Sequence, residues 1–201
     1  KPVGYNSYEK WVSGWLQPTE LKSPQYITDM KALSDAPEAY VIYNEKTPTE
    51  YYLLENRQQK STDSELPAHG MLVLHVDYDK SAWENNTLNN SKNHQRFTII
   101  PADGVCSDAT NSGDTYPGTK MNTSLTDTSS PAAKLFNANK DGRYYMGKPI
   151  TDIAENNGLI SFTFMNGELV EVPALLTSTI ASSNSFTASW AAVENAESYN
   201  L

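Results

Sequence analysis

Between Gln25 and Asp103 the chain breaks into short runs in which apolar and polar residues interleave: QYITDM, EAYVIYN, EYYLLENRQ, GMLVLHVD and QRFTIIPAD. Each run is bounded by clusters of Pro, Gly, Asn, Asp or Ser, residues that turn a chain, so each is predicted as a strand. The intervals between runs are short and lack a 3.6-residue apolar period, which leaves no room for the crossover helices of a parallel sheet. A mostly antiparallel sheet is therefore expected. Ahead of it, Tyr8, Trp11, Val12 and Trp15 fall at the i, i+3, i+4, i+7 spacing of one helix face, with Asn6 or Ser7 placed to cap the helix and Gly14 near its end. That face is expected to pack into the core. Residues 104–149 read as loops, with GDTYPGT, a Ser/Thr tract and a Lys140-Asp141-Gly142 turn; a connection this long is usually functional or tied down by an ion. LISFTFM and ELVEV flank Asn166-Gly167, a pair suited to the positive φ angles of a type I′ hairpin turn. The predicted fold class is mainly β (α+β), a mostly antiparallel sheet with a short N-terminal helix and long loops.

Charge narrows the range of partners. The formal net charge of −9 comes without any Lys/Arg cluster able to neutralise phosphates, which argues against nucleic acid. No apolar run reaches membrane-spanning length, and the N-terminal KPVGYNSYEK lacks the apolar stretch of a signal peptide. One cysteine, Cys106, excludes an intrachain disulfide framework, and its sequence neighbourhood holds nothing that would stabilise a thiolate.

Four constellations could carry chemistry. His75 and Asp77 stand two apart in a predicted strand and so share a face. They are a metal-site candidate or a histidine oriented by a carboxylate, and a hydrogen-bonded histidine at a strand end is the simpler account. Glu55 and Arg57 likewise share a face and are expected to form an ion pair that organises the sheet, with substrate binding by Arg57 the alternative. Asp103, Asp108, Asn111 and Asp114 lie in the loop ADGVCSDATNSGDTYPG. Clustered oxygen ligands on a flexible loop suit calcium, although the EF-hand spacing is absent and solvated Asx turns account for the same composition. The exposed row that Trp11, Trp15, Tyr51 and Tyr52 would form is the fourth.

The particular residues add a family resemblance. "YYLLENRQ", "LPAHGMLVLHVD", "NNTLNNSKNHQRFTIIPADG" and "GDTYPG" resemble, in that order, the second half of the catalytic region of secreted bacterial zinc metallopeptidases of the immune inhibitor A type. "YNSYEKWVSGWLQP" resembles the segment that follows the methionine turn in that family, and "KPITDI…NGLISFTF" its closing strands. Such enzymes bind zinc through H-E-x-x-H, two histidines one helical turn apart with a general-base glutamate between them. The three histidines here, His69, His75 and His94, form neither that motif nor its inverse. The resemblance thus implies that residues 1–172 are the C-terminal portion of a zinc-dependent endopeptidase domain, with the zinc ligands upstream of Lys1. The chain would supply the supporting sheet and part of the substrate cleft, with Tyr5 and Tyr8 closest to that cleft. Alone it is expected to be inactive. The implied partners are a peptide or protein substrate and the N-terminal half of the catalytic domain, and the implied location is secreted or at the cell surface.

From Pro173 the character changes. "VPALLTSTIASSNSFTASWAAVENAESYNL" resembles the opening of a fibronectin type III module, with a first strand after the proline, a second ending in Trp190, and Ala196 to Tyr199 leading into a third. Such a sandwich takes about 100 residues, so 173–201 is expected to be an incomplete one. Against the peptidase reading stands another, a non-catalytic extracellular β-module that binds a polymer or cell surface through its exposed aromatics.

Overall fold

The computed structural model of the chain describes residues 2–167, 175–182 and 185–190. The chain separates into two compact units, Lys1–Gly167 and Glu168–Leu201, slightly ahead of the change in composition at Pro173. The first unit is mainly β, built on two mostly antiparallel sheets with few short helices and no closed barrel.

In the larger sheet β1 (Thr19–Glu20), β3 (Tyr40–Tyr43), β4 (Glu50–Arg57), β5 (Gly70–Asp77) and β6 (Phe97–Ile99) stand in the order β1-β3-β4-β5-β6. Every neighbouring pair is antiparallel except the short β1–β3 contact. In the smaller sheet β2 (Gln25–Met30) and β7 (Ile150–Asn156) flank β8 (Leu159–Phe164). Strand β4 is the middle strand of the larger sheet, and all eight of its residues are buried. Its two faces meet different neighbours. Tyr52 and Leu54 pack with Ile42, Met71 and Val73 against Ile160, Phe162 and Phe164 of the smaller sheet. Tyr51 and Leu53 pack with Val41, Leu74 and Val76 beneath Tyr8, Trp11 and Phe97. A strand covered on both sides needs no strict alternation, and YYLL is the outcome.

The predicted helix is α1 (Ser7–Val12). Asn6 caps it, with a reciprocal bond from the Asn6 N–H to the Glu9 carboxylate, a capping box. The predicted apolar face holds only in part, because Val12 and Trp15 are 64% and 61% exposed. Gly14 adopts φ 75°, and the Gly14 and Trp15 N–H groups bond back to Trp11 and Lys10. This is a Schellman closure, and it turns the chain before Trp15 can fall in line with Tyr8 and Trp11.

One strand prediction shortens. QRFTIIPAD yields only Phe97–Ile99. The hairpin in the second sheet turns at Asn157-Gly158, with φ of 50° and 79°, both positive as a type I′ turn requires. ELVEV and the Ala196–Tyr199 segment lie outside the described residues. In the second unit β9 (Leu175–Ser182) and β10 (Ser185–Trp190) form one antiparallel pair. Among the described residues no helix is long and apolar enough to cross a membrane.

Candidate functional site

The end of β4 reads ENRQ, four polar residues, each buried. Burying such groups is costly unless every one is bonded, and here they act as ties. Asn56, on the face towards the smaller sheet, donates to the Met30 carbonyl at 2.8 Å and the Gly158 carbonyl at 2.9 Å and accepts from the Gln58 amide at 2.9 Å. It thereby joins the two sheets. Glu55 and Arg57 point to the other face. Arg57 donates to the Gly4 carbonyl at 3.0 Å and the Tyr5 carbonyl at 3.2 Å, and it pairs with Asp63 at 3.2 Å and Glu55 at 3.4 Å. Asp63 accepts the Gly4 N–H at 2.8 Å, and Glu55 the Ser7 N–H at 2.5 Å. Burial raises the Glu55 pKa, while Arg57 and the Ser7 bonds lower it; the net direction is upward. The result fixes Gly4–Ser7, and with it α1, across the sheet. A side chain at position 4 would meet the Asp63 carboxylate at 2.9 Å.

Beside this anchor lies a cleft of about 460 Å³. Leu72, Leu74, Phe97 and Ile99 form its floor, and Asn6 and Glu9 stand on one wall. The opposite wall is held by backbone pairing. Tyr116 exchanges two bonds with Met71 at 2.8 Å, and Ala102 donates to the Asp114 carbonyl at 3.0 Å. Gly70 permits this approach, since a Cβ there would sit 2.5 Å from the Tyr116 carbonyl oxygen. Asp114 is thus placed on the cleft wall, 9% exposed.

Asp114 differs from the other buried acids. Glu55, Asp63 and Asp77 each face an arginine, and Glu50 faces His75. One oxygen of Asp114 is buried without a hydrogen-bond partner, and among the described residues it forms no ion pair. Burial, and then Asp103, push its pKa up to about 6. For an acid whose folded value lies above its unfolded one, the native state holds the proton longer, so stability falls as pH rises through that interval. The charged form then costs about 1–3 kcal/mol. Asp114→Asn is expected to raise the melting temperature at pH 8 by about 2–6 °C, with the gain shrinking as pH is lowered towards 4. A gain independent of pH would mean that the charge of Asp114 is not its source.

A second buried cluster lies at the other end of β4, on the opposite face. Glu50 is fully buried and accepts from His75 Nε2 at 2.8 Å, from the Phe136 and Asn137 N–H groups at 2.6 and 3.0 Å, and from the Asn44 and Asn137 amides at 3.2 Å. Burial pushes its pKa up, but these donors outweigh burial and hold it below the usual glutamate value. The His75 ring stacks on Phe136 at 4.9 Å and meets the Tyr52 ring at its edge. Asp77 takes other partners, His94 at 2.6 Å, Arg96 at 2.8 Å and Asn137 at 3.0 Å. His75 and Asp77 therefore share a face without bonding each other, and the carboxylate that orients His75 is Glu50.

The remaining candidates are dispersed. Tyr5 is exposed, with its ring 5.6 Å from Trp15. Tyr8 is half-buried on the edge of Phe97 at 5.0 Å. Tyr51 and Tyr52 are buried on opposite faces of β4, so with Trp11 and Trp15 they make no exposed row. In the acidic loop Asp103 accepts the Val105 N–H at 2.8 Å, Asp108 is exposed and Asp114 buried. Asp108, Asn111 and Asp114 border a second hollow together with Cys106. Among the described residues no group of three or more His, Cys, Asp or Glu side chains is placed to hold a metal ion. Comparison with known proteins found no matching family model, no matching curated protein and no matching solved structure.

Proposed function

We propose that this chain is part of a secreted zinc-dependent endopeptidase, contributing the supporting sheet and a stretch of the substrate cleft. The observation that carries the reading is the anchoring of Gly4–Ser7 by Glu55, Arg57 and Asp63. In the resembling family this segment follows directly on the zinc-bearing part, so a buried ionic anchor here would hold the two parts in register. The motif block YYLLENRQ supplies that anchor's Glu55 carboxylate and Arg57 guanidinium on β4, and LPAHGMLVLHVD the strand beside them.

Among the described residues no group of three or more His, Cys, Asp or Glu side chains is placed to hold a metal ion. His69, His75 and His94 are engaged by Glu155, Glu50 and Asp77, and the metal would be held by residues outside the chain. Calcium in the 103–114 loop stays a subsidiary proposal, and it predicts a lower melting temperature in EDTA. The β9–β10 pair is read as the start of a fibronectin type III-like module.

The test is to extend the encoding frame upstream and assay the longer product on casein. An H-E-x-x-H motif in that frame, hydrolysis abolished by 1,10-phenanthroline, and no hydrolysis by residues 1–201 are the expected results. A frame without a zinc motif, or hydrolysis indifferent to the chelator, overturns the reading.

A further inference from the structure

The cleft beside the Gly4–Ser7 anchor has the two halves of a recognition site. Its floor is the apolar end of the helix-covered sheet face, where half-buried Leu72, Phe97 and Ile99 surround the buried Leu74. Its wall carries Asp114, a carboxylate with a buried oxygen that no donor reaches. The one arginine at the cleft, Arg57, is committed to Glu55, Asp63 and the Gly4 and Tyr5 carbonyls, so it neither neutralises Asp114 nor offers itself to an anion. At the rim Glu9 adds a second negative charge. The Asn111 side chain and the Asn6 Nδ2 border the same space and, among the described residues, make no hydrogen bond there. Free amides beside an apolar floor suit the N–H and C=O groups of an extended peptide.

We propose that this cleft binds a peptide segment in which a basic side chain stands next to an apolar one, the apolar group resting on Leu72, Leu74, Phe97 and Ile99 and the cation meeting Asp114. Among the described residues Asp114 is the buried carboxylate without an ion-pair partner, and a cation at its accessible edge would supply one through a charge-assisted bond, one of the strong kinds. The overall charge of −9 favours the approach of such a segment. A volume of about 460 Å³ suits a few side chains and falls within the usual range of ligand sites. The inference rests on the cleft alone. It needs no zinc and no hydrolysis, so it can fail while the peptidase reading stands, and the reverse.

The experiment is a heteronuclear NMR titration of the 201-residue chain at pH 7.5 with acetyl-Ala-Leu-Lys-Ala-amide and with the same peptide carrying Gln for Lys. The lysine peptide is expected to bind about tenfold more tightly, the scale of one well-placed charge pair, with shifts centred on the amides of 72–74 and 97–99. Asp114→Asn should erase the preference, so that the two peptides bind alike. Leu66→Ser, on the apolar side of the cleft, should weaken both peptides. Equal binding of the two peptides, a preference that survives Asp114→Asn, shifts located elsewhere, or no shifts at about 5 mM peptide, below the affinity of a useful site, each overturns the proposal.

Discussion

Replacing Arg57 with alanine is expected to lower the free energy of unfolding by about 3–5 kcal/mol, the usual result of removing one partner from a buried ion pair. Glu55 and Asp63 are buried and would be left facing each other without their shared cation. The Gly4 and Tyr5 carbonyls would lose their donor in the same step. A loss of this size is a large part of the total stability of a domain, about 5–15 kcal/mol. Its pH dependence separates charge from packing. Glu55 already has a raised pKa, and without Arg57 it would protonate more readily still, so the deficit of the variant should shrink as pH falls from 7.5 to 5. Urea unfolding at the two pH values makes the measurement. A deficit that is equal at both would place the loss in packing. Arg57→Lys keeps the charge but not the planar fork that reaches two carboxylates and two carbonyls, so it should fall between the two and remain measurable if the alanine variant does not fold.

The anchor shows how much of the site the sequence displays. Glu55 and Arg57 are legible as a pair because a strand has period two, and two residues apart on it means one face. Asp63 is not, because the connection from β4 to β5 brings it back over the sheet end, and no local pattern encodes that return. The strands read well wherever apolar residues alternate or run together, as in β4 and β5. They read poorly at β6, where Ile100, Pro101 and Ala102 extend the apolar run in sequence while the pairing covers three residues. Of the two Asn-Gly pairs, 157–158 makes the observed hairpin turn of the smaller sheet, and the strand expected after 166–167 lies outside the described residues. The role of Asp114 was the least legible. In sequence it is one of four oxygen-bearing residues in an acidic loop, and only the pairing of Tyr116 with Met71 separates it from the exposed Asp108 and sets it on a cleft wall.

Glu50 is the second residue whose loss should be severe, and its case turns on the loop that sequence marked as too long to stand alone. Phe136 and Asn137 are fixed to the sheet through Glu50, which takes their N–H groups along with His75 and two side-chain amides. This part of the loop is therefore tied by a buried carboxylate. Glu50→Gln keeps the shape but sets an NH2 against donors that need an acceptor, and about 2–4 kcal/mol of stability should be lost. The sign of the pH effect follows from the lowered pKa. For an acid whose folded value is depressed, the contribution is present above the unfolded value, here 4.5, and disappears as pH falls through the folded one. The wild-type chain should therefore lose stability on acidification below about pH 4.5, while Glu50→Gln, already without that contribution, should show a flatter profile. Hydrogen exchange supplies the local readout, because the Phe136 and Asn137 amides should be protected in the wild type and exchange early in the variant. If those amides stay protected while global stability falls, the loop is held by something other than Glu50. If stability is unchanged, the five donors around this carboxylate are satisfied without its charge.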